Sequence, residues 1–224
     1  SIDHFPAKKY IVYQFEQIHA KTDKKYHNAL KVYFDLMKNA ISVWEYSYVN
    51  VKVLQRFGIS NVEYKPFGYS PCIETVDSSI DKDIDVLWLG CILQRRTLIL
   101  NKLKDELSSY KLYHSNGVFS KAKTELLSRS KIALNIHMEQ PFYSCLEVVR
   151  IVYLIANKCL VVSEYSGDSY TDNIFKPYVV FSNNLSETIT YLLKHPEIIR
   201  SRTEYAYKWL KSDYTYKKLL TTSF

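Results

Sequence analysis

Short apolar runs alternate along this chain with stretches in which apolar residues recur at helical spacing. Residues 10–15 form a β-branched and aromatic run that predicts a strand. Leu30, Phe34, Met37 and Ala40 then stripe a helix over 26–39. A second strand is expected over 41–46, a helix over 49–57 that Gly58 stops, and a third strand over Val62–Tyr64 ending at Pro66. Residues 68–85, "GYSPCIETVDSSIDKDID", have no apolar period and read as a linker. The alternation then resumes. Strands are predicted at 86–89, 111–113, 132–136, 160–162 and 179–181. Helices are predicted over the Ile99, Leu103, Leu107 stripe and at 121–130, 146–156, 186–193 and 197–220.

The strands are continuously apolar, and most are followed by a helix. Parallel sheets covered on both faces leave this signature, because neither side of such a strand meets water. The fold class is therefore α/β, with two Rossmann-like parallel-sheet units: residues 1–71, the shorter, and residues 72–224. No internal repeat or low-complexity segment interrupts them.

Composition narrows the picture further. Of 224 residues, 47% are hydrophobic and 24% charged, as in an ordinary folded protein. The longest apolar run, 146–156, carries Arg150 and falls short of the roughly 20 residues that span a bilayer. The start lacks the pattern of a secretory signal, so a cytoplasmic location is expected. It opens on Ser rather than Met, which suggests a piece of a longer polypeptide with further enzyme domains. Four cysteines, Cys72, Cys91, Cys145 and Cys159, form no CxxC pair, so neither a zinc site nor a disulfide framework is expected. The net charge of +7 sits at the two ends. Residues 1–71 carry 10 basic and 6 acidic side chains, and residues 194–224 carry 7 and 3. Both ends can attract phosphate or an anionic surface.

The chemistry gathers in "NIHMEQPFYSCLEVVR", residues 135–150. In open parallel sheets ligands bind beyond the carboxyl ends of the strands, where helix N-termini point. Asn135, His137 and Glu139 occupy such a strand end. Ser144 opens the next helix, where free N–H groups attract phosphate. Glu147 is expected one turn in, suited to accepting two ribose hydroxyls, with Arg150 a further turn along that face. Ser144-x-x-Glu147 also fits a capping box, in which the glutamate reaches back to the serine N–H.

Glu139 and Glu147, with seven residues between them, followed by "ANKCLVVSE", resemble the C-terminal domain of GT-B glycosyltransferases. "LWLGCILQRR" resembles that family's first C-domain strand, with Gly90 and a basic residue, Arg95 or Arg96, for the donor diphosphate. "YIVYQFEQ", "VWEYSYVN" and "VEYKPFGYSP" resemble the closing part of its N-domain, so the N-terminal unit is a shortened one. The resemblance implies that the first glutamate lies near the donor sugar and the second holds the nucleotide ribose. It also places His114, Ser115 and Asn116 of "YHSNG" near the nucleobase. Two departures stand out: the glycine-rich loop at the start of the N-domain is missing, and Asn157-Lys158 replaces the glycine after the last apolar helix.

An inverting transferase needs a base on the facing unit to take the acceptor hydroxyl's proton. Glu16 and His19 of "FEQIH" are the candidates, with Glu45 third. Asp83-x-Asp85 could form a metal-binding carboxylate pair, but it precedes a strand instead of ending one, so no metal site is expected. Twenty tyrosines with a basic charge could serve nucleic-acid binding, but they are spread evenly, with no arginine–aromatic alternation. The expected activity is metal-independent transfer of a hexose or 6-deoxyhexose from a UDP- or GDP-linked donor to a glycan or other hydroxyl acceptor, in glycan biosynthesis. The donor is a substrate, and no cofactor is expected. A non-catalytic nucleotide-sugar binding or scaffolding module is the alternative.

Overall fold

The computed structural model describes residues 9–18, 27–76, 79–138 and 145–221, with 27–30 by backbone alone. The first unit runs β1 (Ile11–Gln14), α1 (His27–Lys38), β2 (Ser42–Glu45), α2 (Tyr48–Arg56) and β3 (Val62–Tyr64). Its three strands are parallel in the order β1-β2-β3. Ser47 caps α2 by accepting from the Asn50 N–H, and Gly58 ends it in the left-handed conformation at φ 77°. Phe34, Met37, Val43, Leu54 and Ile59 form its core.

The second unit runs β4 (Ile84–Leu89), α3 (Gln94–Glu106), β5 (Leu112–Ser115), α4 (Ser120–Ser128), β6 (Ser130–Asn135), α5 (Val148–Ala156), β7 (Leu160–Ser163), α6 (Ser169–Phe175), β8 (Val180–Phe181) and the helices α7 (Leu185–Lys194), α8 (Pro196–Ser212) and α9 (Tyr216–Thr221). Its sheet is parallel throughout, in the order β5-β4-β6-β7-β8. Successive strand residues face opposite sides, and both sides are apolar. Val86, Trp88, Ile132 and Val162 pack with Leu100, Leu103 and Ile189. Leu87, Ala133 and Val161 pack with Ile151, Ile155, Phe175 and Leu210. Each buried Val, Leu, Ile or Phe among them contributes roughly 1.5–3 kcal/mol relative to exposure.

Four local expectations change. The stretch read as a linker contains a 3-10 turn, Pro71–Ile73, and already joins the sheet at Ile84. The helix α6 was not expected; it is polar, and Asp168 caps it by accepting from the Thr171 N–H. The long last helix is two helices, because Thr215 bridges to Tyr69 in the crossing segment, with the Tyr69 N–H donating to Tyr214 O at 2.8 Å. This approach requires a glycine: a Cβ on Gly68 would lie 2.8 Å from Tyr216 N. Finally, α5 begins at Val148, not Ser144, so Glu147 is its N-cap residue.

The tail thereby returns to the first unit, where Tyr216 meets Phe67 edge-on at 4.9 Å. Across the seam Ser47 Oγ donates to Asp168 Oδ2 (2.8 Å) and Gln17 Nε2 to Cys145 O (3.1 Å). Asn157 holds the crossing segment, accepting from the Thr75 and Val76 N–H groups and donating to Ile73 O. Lys158 takes the left-handed turn at φ 51° that a glycine would supply more cheaply.

Candidate active site

In the order β5-β4-β6 the chain reverses direction across the sheet, leaving a crevice beyond the carboxyl ends of β4 and β6. A cleft of about 810 Å³ opens there. Gly90, Arg96, Lys123, Glu147 and Arg150 line it from the second unit, and Phe15, Glu16, Gln17 and Tyr46 from the first.

Glu147 is the centre of the polar floor. Its side chain turns away from a capping position toward the end of β6, where Asn135 Nδ2 donates to Oε2 at 2.9 Å and His137 Nδ1 lies 2.8 Å from the same oxygen. Arg96 Nη2 lies 3.9 Å from Oε1. Burial pushes the Glu147 pKa up, but His137 and Asn135 outweigh it and hold the carboxyl below its usual range.

The cations around it are crowded. Arg96 is buried over Trp88, donating from Nε to Ile136 O (2.9 Å) and from Nη1 to Cys91 O (3.1 Å). Arg150 Nη1 is buried without a hydrogen-bond partner among the described residues. A Cβ on Gly90 would stand 3.1 Å from Arg150 Nη2, so glycine leaves that guanidinium its space. Lys123 Nζ sits 3.9 Å above the Tyr153 ring. Burial, and then the charge of Arg150, lower the pKa of both Arg96 and Lys123. A desolvated cation with an unfilled donor, as Arg150 has, is costly on its own, and with Arg96 and Lys123 beside it the floor of the crevice is suited to an anion.

The structure separates the residues singled out by sequence. Arg96, Glu147, Arg150 and Glu16 line the cleft. Asn135 and His137 are fully buried behind Glu147. Arg95 turns aside: its Nη1 and Nη2 both donate to Glu164, and Nη1 also to His137 O. His114 lies on β5 outside the lining, whereas Asn116 is part of it. Glu139, Ser144 and His19 fall outside the described residues. Glu45 is buried at the end of β2 and does not reach the cleft. Asp83 and Asp85 pair with Arg129 and Lys131, at the start of β4 and so at the opposite end of the sheet. Among the described residues no cluster of His, Cys, Asp and Glu could hold a metal ion, and no helix is long and apolar enough to cross a membrane. Lys123 was missed. Its only sequence signal is a place in the first turns of a helix after a strand end.

Two Rossmann-like units facing each other across a cleft at the carboxyl ends of their strands define the GT-B glycosyltransferase fold, here with a shortened N-terminal sheet. The solved structures it resembles include TarM, with a TM-score of 0.68 and 9% identity over 95% of this chain and 49% of that one. Anabaena HepE in complex with UDP-glucose gives 0.65 and 8%, over 94% and 70%. WaaG, a glycosyltransferase involved in lipopolysaccharide biosynthesis, gives 0.63 and 11%, over 98% and 78%. The chain thus spans about half the length of TarM. No family model and no curated protein sequence matches it.

Proposed function

We propose that this chain carries the donor-side machinery of a glycosyltransferase that moves a sugar from a nucleotide diphosphate to a hydroxyl acceptor. The observation that carries the reading is the buried Arg150 guanidinium, one donor unfilled, beside Arg96 and Lys123 at the switch point. A diphosphate fits that floor, since guanidinium groups grip phosphate oxygens through charge-assisted hydrogen bonds. Glu147, set by Asn135 and His137, offers Oε1 to a ribose. The binding of UDP-glucose by HepE, which shares the fold, supports this assignment. On departure of the sugar, charge develops on the diphosphate, and fixed cations stabilise it without a metal ion. Glu16, exposed on the facing wall, is the candidate base for an attacking hydroxyl.

Screening UDP- and GDP-linked hexoses and 6-deoxyhexoses by thermal shift tests donor binding, because a ligand specific to the folded state raises the melting temperature. Release of the sugar from the stabilising donor then separates an enzyme from a non-catalytic binding module. A melting temperature unmoved by every donor overturns the reading.

A further inference from the structure

His137 stands directly behind the ligand-facing carboxylate, and it is fully buried. Its backbone is clamped on both sides by one ion pair: its N–H donates to Glu164 Oε2 at 3.0 Å, and its carbonyl accepts from Arg95 Nη1 at 2.8 Å. The ring therefore has little freedom. Nδ1 lies 2.8 Å from Glu147 Oε2, an ion pair once the ring is protonated, while neither ring nitrogen makes a hydrogen bond of good geometry among the described residues. Asn135 Nδ2 already donates to that same carboxylate oxygen. An imidazole is thus present where a neutral donor alone would satisfy Oε2. What it adds is a charge that can come and go.

We propose that His137 is a positioning residue that holds Glu147 with Oε1 toward the cleft and couples the cleft's grip on an anionic ligand to a proton. The proposal rests on the reading of Glu147 as a ligand-holding group. The charged and titratable neighbours are Glu147 at the start of α5, Glu164 after β7, Asp172 on α6, and Arg95 and Arg96 on α3. Burial works against the imidazolium, but Glu147 and then Glu164 outweigh it and hold the His137 pKa above the usual histidine value. At low pH the imidazolium offsets the Glu147 charge, and the field of Arg96, Arg150 and Lys123 acts on the ligand undiminished. As pH rises through the raised pKa the proton leaves and Glu147 repels a diphosphate. Nucleotide affinity is therefore higher below that pKa and lower above it.

The test titrates the full chain with UDP and, separately, GDP between pH 6 and pH 9, comparing wild type with His137→Asn and His137→Phe. Asparagine is an amide donor that does not titrate, and phenylalanine fills the space without a donor. The ratio of wild-type to His137→Asn affinity is expected to fall on the order of threefold to tenfold across the range. His137→Phe is expected to bind several-fold more weakly throughout. Should that variant fail to fold, NMR of the wild-type imidazole gives an independent reading. Linkage requires the bound nucleotide to raise the His137 pKa, and Glu147→Gln to lower it. Identical pH dependence in wild type and His137→Asn, or an imidazole pKa indifferent to Glu147→Gln, overturns this role alone. A wild type that binds neither nucleotide overturns the donor reading together with it.

Discussion

Glu45 closes β2 at the seam between the units, with Oε1 accepting from the Ser47 N–H (2.8 Å) and Asn50 Nδ2 (3.2 Å). Oε2 is buried without a partner among the described residues. Burial pushes its pKa up to about 8 from 4.5, and the hydrogen bonds from Ser47 and Asn50 only partly counter it. The folded-state pKa lies above the unfolded one, so folding favours the protonated acid. Its stabilising effect is complete below about pH 4.5 and is lost as pH rises through about 8. At roughly 1.36 kcal/mol for each pH unit between 4.5 and about 8, the loss comes to the order of 5 kcal/mol. Glu45→Gln keeps the acceptor oxygen and cannot ionise, so it escapes this loss. Thermal melting at pH 5 and pH 9 reads the effect. The variant's advantage is expected to widen with pH, by on the order of 10 °C, since roughly 2–4 °C follows each kcal/mol in a chain of this size. A difference in melting temperature that does not change with pH would show that burial does not raise the Glu45 pKa. The same burial keeps Glu45 mostly protonated at neutral pH, which disfavours it as a catalytic base.

Glu147→Gln removes a charged acceptor worth roughly 1.5–3 kcal/mol, so donor affinity should drop tenfold or more in calorimetry while the melting temperature holds; a lower melting temperature with unchanged affinity would leave Glu147 only a structural role with Asn135 and His137. Arg150→Met should weaken UDP or GDP binding at least tenfold without loss of stability, because it removes a buried cation with an unfilled donor. If the proposed transferase inverts, Glu16→Ala should cut turnover by roughly 10²–10⁴-fold with donor binding intact; near-normal turnover leaves either a retaining mechanism or another base, with His19 next to test. Transfer should survive EDTA, and activity lost to the chelator but restored by manganese or magnesium would contradict the proposed metal-free departure.

Much of the fold is legible because its strands are buried on both faces and so appear as uninterrupted apolar runs. What escaped was set by partners distant in sequence. The helix α6 carries no apolar period, and Asp168 and Asp172 fix it through bonds to Thr171 and Ser166. The break after Ser212 depends on Tyr69, far upstream. The site shows the same division. That residues 135–150 end a strand and begin a helix is visible in the pattern, and so are two arginines after β4. Which arginine reaches the cleft is decided by Glu164, which draws Arg95 away and leaves Arg96 over Trp88 and beside Glu147. Nothing local distinguishes Lys123 from Lys121, since the difference lies in the Tyr153 ring beneath the former.

A crystal structure of the chain with UDP or GDP bound would show whether the nucleotide occupies this crevice. The diphosphate is expected between Arg96, Arg150 and Lys123 at Gly90, with the ribose hydroxyls on Glu147 Oε1. A nucleotide seated away from the β4–β6 crevice, or bound there with Arg150 still unpaired, would contradict it.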